Sequence, residues 1–246
     1  MKIAITGKGG VGKTSISAAL AFLFKKKGSK VIAIDADPDS NLATALGFSK
    51  EERPEPISGL KKLILERCGE VGGFFKLNPK VDDIPDKFSR SKDNIRLIEM
   101  GTVKKGGAGC VCPESAFLKT LLSHIFINRD EVVIVDMEAG IEHLGRGTAQ
   151  AVDKFIIVIE PNLTSIDTAF KIIELASNLK IKDIVIVANK IKGEDDKDFI
   201  RKNIKDLSVN CFINMDNNIL KSRGKIHEGS VFVKELEEVF DVIKIS

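Results

Sequence analysis

Short runs of β-branched and other apolar residues recur along the chain, with longer helical patterns between them. Seven runs are predicted strands: Lys2–Thr6, Val31–Asp35, Ile95–Glu99, Val132–Asp136, Phe155–Ile159, Ile184–Ala188 and Cys211–Asn214. Most are continuously apolar rather than alternating, the pattern of strands covered on both faces of a parallel sheet. Helices are predicted over Thr14–Lys27, Ser115–Phe126, Thr164–Asn178 and Asp196–Lys205. Strand–helix alternation of this kind predicts an α/β fold, a doubly wound, mostly parallel sheet with helices on both faces. Most of the prolines lie between Gly47 and Asn94, a stretch that reads as an insertion on the ligand-binding side of the sheet. With no internal repeat or low-complexity linker, residues 1–246 are expected to form a single domain.

Ligands of open α/β sheets sit beyond the carboxyl ends of the strands, so the chemistry is expected just after each run. After the first strand comes Gly7-Lys8-Gly9-Gly10-Val11-Gly12-Lys13-Thr14, a match to G-x-x-x-x-G-K-S/T. Such glycines let backbone N–H groups curl around phosphate oxygens, and the helix that follows points its positive end at them. Nucleotide contacts are expected from Gly9, Gly10, Val11, Gly12, Lys13, Thr14 and Ser15. Lys13 should reach the β- and γ-phosphates and the Thr14 hydroxyl should ligate Mg²⁺. The chain is therefore expected to be a P-loop ATPase. No N-K-x-D for guanine is present, since Asn189-Lys190-Ile191-Lys192 lacks the aspartate, which favours ATP.

A second lysine opens the loop. With Lys8, the K-G-G-V-G-K-T segment resembles the deviant Walker A motif of the MinD/ParA/ArsA/nitrogenase-iron-protein class, a SIMIBI/MinD-like group of P-loop NTPases. The resemblance implies that Lys8 crosses a dimer interface to the partner's nucleotide; the spacing alone would say only an exposed lysine. Asp35-Ala36-Asp37-Pro38-Asp39-Ser40-Asn41 looks like switch I of that class, which implies that Asp35 helps hold the Mg²⁺ shell and Asp37 orients the attacking water. Asp39 or Ser40 alternatively caps the following helix. Asp136-Met137-Glu138-Ala139-Gly140 looks like switch II, with Asp136 delivered to the strand tip as the aspartate that meets magnesium through water and Gly140 offering an N–H to the γ-phosphate. Asn189 stands where related proteins use an asparagine for adenine.

Composition narrows the partners. Lys plus Arg is 38 against 35 for Asp plus Glu, a net charge of only +3, and Trp and Tyr are absent. Neither an electrostatic footprint for nucleic acid nor aromatic stacking platforms are expected. The first apolar run is too short for a secretory signal and no run approaches a membrane span, so a cytoplasmic protein is expected.

Four cysteines rule out a disulfide scaffold. Cys68 and Cys211 stand alone and read as small apolar packers. Cys110 and Cys112 form a C-x-C in a glycine-rich loop. Two thiolates make half of a tetrahedral soft-metal site, and a symmetric dimer would supply the other half. Buried structural cysteines or a redox pair are the alternatives. His143 and Glu142 follow switch II and are weaker metal candidates.

K-G-G-V-G-K-T, D-A-D-P-D-S-N, N-P-K-V-D-D (Asn78–Asp83), the K-K-G-G-x-x-C-x-C segment and A-G-I-E-H-L-x-R-G-T-A (Ala139–Ala149) together resemble the CooC-type carbon monoxide dehydrogenase accessory ATPases over nearly the whole chain. That resemblance implies a homodimer that binds ATP, Mg²⁺ and a soft ion, Ni²⁺ or Zn²⁺, at Cys110 and Cys112, with nickel-free carbon monoxide dehydrogenase as client. A sister group serves acetyl-CoA synthase. A MinD- or ParA-like positioning ATPase is the competing reading, but the amphipathic stretch Val231–Ile245 carries Glu235, Glu237, Glu238 and Asp241, which anionic lipid would repel. A nitrogenase-like electron donor would need well-separated cysteines to hold a 4Fe–4S cluster.

Overall fold

In a computed structural model, the described residues are 1–69, 76–102, 112–140, 144, 146–204 and 207–245. Cys110, Glu142 and His143 lie outside them. Among the described residues, eight strands form one sheet: β1 (Lys2–Gly7), β2 (Val31–Ala36), β3 (Arg90–Lys92), β4 (Ile95–Glu99), β5 (Val132–Met137), β6 (Lys154–Ile159), β7 (Ile184–Ile191) and β8 (Cys211–Asn214). Their order is β3-β4-β2-β5-β1-β6-β7-β8, and all pairings are parallel except β3 with β4. The edge strand β3 has no counterpart among the predicted runs. It is three residues of polar sequence, joined to β4 through Asp93 and Asn94, both at positive φ, the turn that suits a two-residue hairpin.

The helices are α1 (Lys13–Lys26), α2 (Leu42–Ala45), α3 (Lys61–Cys68), α4 (Ile84–Phe88), α5 (Pro113–Asn128), α6 (Arg146–Gln150), α7 (Leu163–Asn178), α8 (Glu194–Asn203), α9 (Asn217–Lys221), α10 (Val231–Glu235) and α11 (Glu237–Ile245). Alternate residues of each central strand serve opposite faces, so the sheet separates two apolar cores. One gathers Ile3, Ile5, Ala33 and Ile134 with α1, α2, α10 and α11; the other gathers Ile32, Val133 and Ile157 with α3, α5, α7 and α8. The apolar face of the C-terminal stretch is spent inside the first core. Leu236, Val239, Phe240 and Ile243 are buried, and the Phe240 ring meets Phe24 of α1 at 4.8 Å between centroids. No described helix is long and apolar enough to cross a membrane.

The stretch from Gly47 to Asn94 is a crossover between β2 and β4 that visits both ends of the sheet. Its short 3-10 turn, Ile57–Gly59, lies at the carboxyl end, where the Ser58 N–H donates to the Met100 carbonyl. Helix α3 packs on α5, and α4 reaches the amino ends, where Asp86 pairs with Arg96 and Arg129. Only its first part therefore stands on the ligand-binding side.

Candidate nucleotide site and cysteine loop

The loop between β1 and α1 bends as its glycines allow. Gly7, Gly10 and Gly12 all have positive φ. A Cβ on Gly7 would collide with the Val158 carbonyl and one on Gly12 with the Asn189 amide, whereas Gly9 faces open space. Val11 is fully buried and anchors the loop. Lys13 is also buried, unusual for a lysine, and its ammonium has two neighbours: the Lys8 carbonyl at 3.5 Å and Asp37 Oδ2 at 3.8 Å. Asp37 thus stands as a counterion to the lysine expected to meet phosphate. Lys8 is half-buried, and its side chain makes no ion pair among the described residues.

Switch I is organised by Asp35. Its Oδ1 accepts from the Asp37 N–H at 3.2 Å and its Oδ2 from the Leu42 N–H at 2.9 Å, so the first turn of α2 is held from the strand tip. Neither Asp39 nor Ser40 caps that helix; its N-cap is Asn41, without a side-chain hydrogen bond.

Register sets three carboxyls abreast: Glu99 of β4, Asp35 of β2 and Asp136 of β5 are aligned partners. All three are buried. Burial and the neighbouring Asp136 raise the Asp35 carboxyl to about 7. Burial raises Asp136 to about 6, against the pull of the Thr14 hydroxyl and the Lys13 ammonium. Burial also raises Glu99. Asp136 Oδ1 is 3.3 Å from the Ser17 hydroxyl, while its Oδ2 is buried with no hydrogen-bond partner. A crowded carboxylate pair with a free buried oxygen lacks positive charge, and Asp35, Asp136 and the Thr14 hydroxyl are the hard oxygen donors that Mg²⁺ takes. The residues fit the ion.

Switch II is tied to β1. The Thr6 hydroxyl reaches the Glu138 carbonyl at 2.9 Å, and the Gly140 N–H donates to Thr6 Oγ1 at 3.3 Å. Asn189, at the tip of β7, is buried and donates its Nδ2 to the Val11 carbonyl at 2.8 Å. The amide is thereby oriented with its oxygen left to accept, which matches a 6-amino group on a base. Ser15, on the first turn of α1, is half-buried beside the loop.

The described part of the cysteine loop has two roots. At the first, the Met100 N–H donates to the Asp35 carbonyl at 2.8 Å and the Thr102 hydroxyl to the Pro38 carbonyl at 3.4 Å, both in switch I. At the second, Cys112 is the N-cap of α5, its Sγ accepting from the Ser115 N–H at 3.4 Å. The positive end of a sixteen-residue helix there suits a sulfur that carries negative charge, as a metal-bound thiolate does. Cys68 and Cys211 are buried packers whose thiols burial pushes up, Cys211 to about 11, and the Cys68 thiol touches the Pro113 carbonyl at 3.6 Å.

Glu99, Thr6, Ser17 and Lys190 border the site without having been expected there. Glu99 closes a predicted strand, and its position beside Asp35 follows only from strand order.

The description CobQ/CobB/MinD/ParA nucleotide binding domain matches residues 2–227. The chain belongs to this family of P-loop ATPases. It is 48% identical to an uncharacterized ATP-binding protein of Methanocaldococcus jannaschii, over 99% of this chain and 97% of the relative. It is 52% identical to the carbon monoxide dehydrogenase accessory protein CooC of Rhodospirillum rubrum, over 81% of this chain and 78% of that protein, which places it with the CooC-type ATPases. The solved MinD cell division protein of Aquifex aeolicus shares the fold at a TM-score of 0.68 and 24% identity, covering 100% of this chain and 97% of MinD.

Proposed function

We propose that the protein is a cytoplasmic, ATP-driven dimeric metallochaperone that carries a soft divalent ion, Ni²⁺ or Zn²⁺, on Cys110 and Cys112. On this reading it assists nickel insertion into the Ni–Fe–S cluster of carbon monoxide dehydrogenase. The observation that carries the proposal is the root of the cysteine loop: the chain that leads to both thiols starts on the Asp35 and Pro38 carbonyls of switch I. On this reading, a change in switch I on ATP binding or hydrolysis passes through these bonds to Met100 and Thr102, the residues that lead into the loop. Similarity to CooC supplies the client class.

In the proposed cycle, Lys13 leaves Asp37 for the phosphates, and Lys8 of each chain reaches the partner's nucleotide in a closed dimer. Closure brings four thiolates around one ion on the two-fold axis. Thr14, Asp35 and Asp136 would hold Mg²⁺, which would supply positive charge against the phosphate oxygens. Asp37, released from Lys13, orients water toward the γ-phosphorus; the bond to the bridging oxygen breaks, and ADP and phosphate result. The dimer then opens and hands over its cargo. By linkage, the ion tightens ATP-driven dimerisation as much as ATP tightens the ion.

The buried face of α10 and α11 weighs against a membrane-positioning role. The test is activation of nickel-free carbon monoxide dehydrogenase by this protein, nickel and ATP, with acetyl-CoA synthase in parallel. ATP-dependent activation of the first supports the reading. Activation of acetyl-CoA synthase alone moves the client to the sister class, and activation of neither overturns it.

A further inference from the structure

The tip of β7 departs from regular geometry where it meets the phosphate loop. Between Ala188 and Ile191 the register with β8 slips, so Asn189 and Lys190 form a bulge. Lys190 has φ of +62°, a conformation an L residue rarely adopts. Bulges beside active sites commonly re-aim a side chain. Here the re-aimed ammonium donates to the Gly10 carbonyl at 2.5 Å and to Glu160 Oε2 at 2.9 Å. Glu160 is fixed in turn: its Oε1 accepts from Asn162 Nδ2 at 2.7 Å, and its N–H donates to the buried Ser165 hydroxyl at 3.1 Å.

Consecutive residues of β7 thus hold consecutive carbonyls of the loop, Lys190 that of Gly10 and Asn189 that of Val11. A peptide unit is planar, with its N–H opposite its C=O. Drawing the Gly10 carbonyl outward turns the Val11 N–H inward, and drawing the Val11 carbonyl outward does the same for the Gly12 N–H. An anion cradle needs that arrangement, because its donors must converge on phosphate. The inward Val11 N–H now meets only the Lys8 carbonyl, at 3.4 Å, a long contact that an anion can replace.

We infer that Lys190, braced by Glu160, is a positioning residue that sets the peptide between Gly10 and Val11 for phosphate binding. Its ammonium also adds positive charge beside the cradle. This inference rests on the nucleotide site but not on the metal or client. Lys190 should govern nucleotide affinity far more than the rate of the bound complex, and Glu160 should act only through it.

The test measures binding of ATP, ADP and adenosine by calorimetry, and steady-state hydrolysis, for the full chain with Lys190→Met, Lys190→Arg, Glu160→Gln and the double variant Glu160→Gln/Lys190→Met. Lys190→Met should weaken ATP and ADP by about tenfold or more, the scale of a charged hydrogen bond. Adenosine affinity should hold, and KM should change more than kcat. Lys190→Arg should recover part of the loss, and Glu160→Gln should add nothing once Lys190 is gone. Thermal melting confirms folding of each variant. Unchanged ATP affinity in a folded Lys190→Met, equal loss for adenosine, or additive effects in the double variant would overturn the inference. Failure of the unmodified protein to bind ATP would instead count against the nucleotide site itself.

Discussion

Replacing Asp136 by Asn should make the metal-free protein more stable and at the same time blind to magnesium. In the folded chain, burial raises the Asp136 carboxyl from an ordinary 3.8 to about 6. A carboxyl whose pKa is higher folded than unfolded binds its proton more tightly in the native state. Its ionisation therefore opposes folding, beginning near pH 4 and complete above about pH 6. A rise of roughly two units corresponds to roughly 3 kcal/mol against the fold at pH 7.5. An amide carries no charge, but its NH₂ would stand where Asp136 Oδ2 has no partner, a cost of about 1 kcal/mol. The net gain of about 2 kcal/mol should raise the melting temperature by about 4–8 °C for a chain of this size. Differential scanning fluorimetry in chelator at pH 7.5 measures it, and the advantage should shrink as the pH falls to 5. With ATP, added Mg²⁺ should stabilise the unmodified protein and barely affect Asp136→Asn. A variant that melts lower than the unmodified protein in chelator, or that keeps the full magnesium response, would refute the assignment of Asp136 as a metal-facing carboxylate.

Asp37→Ala removes the internal counterion of Lys13, so ATP should bind at least as tightly while turnover falls by about tenfold or more, read by calorimetry and phosphate release; normal turnover would remove Asp37 from water positioning. Gly12→Ala forces a Cβ into the Asn189 amide at a positive φ and should abolish nucleotide binding, whereas Gly9→Ala meets open space and should bind ATP within about threefold. Equal loss in both would mean that the two glycines are not distinguished by the packing of the loop.

Seven of the eight strands are legible because burial on both sides writes continuous apolar runs, as in Val132–Val135 and Phe155–Ile159, and of the helices only the four longest, α1, α5, α7 and α8, are legible from their spacing. Observed ends extend the predicted ones by residues such as Gly7, Ala36 and Met137, whose pairing depends on the neighbouring strand rather than on their own type. Arg90–Lys92 escapes notice because an exposed edge strand needs no apolar face, although the Asp93-Asn94 turn was a usable hairpin signal. The P-loop and both switch aspartates are legible because each function sits in a contiguous motif. Glu99 and Lys190 are not. Their partners, Asp35 and Gly10, lie 64 and 180 residues away, and only strand order brings them together. The amphipathic C-terminus shows the same limit: its spacing is plain, but only packing against Phe24 shows which surface it covers.

In the proposed cycle the metal site is completed by two chains and closed by ATP. Metal analysis combined with native mass determination, with and without a non-hydrolysable ATP analogue, tests that most directly. One soft divalent ion per two chains, gained with dimer formation and lost in Cys110→Ser and Cys112→Ser, is the predicted result. One ion bound by each single chain, or binding undiminished in the cysteine variants, would contradict it.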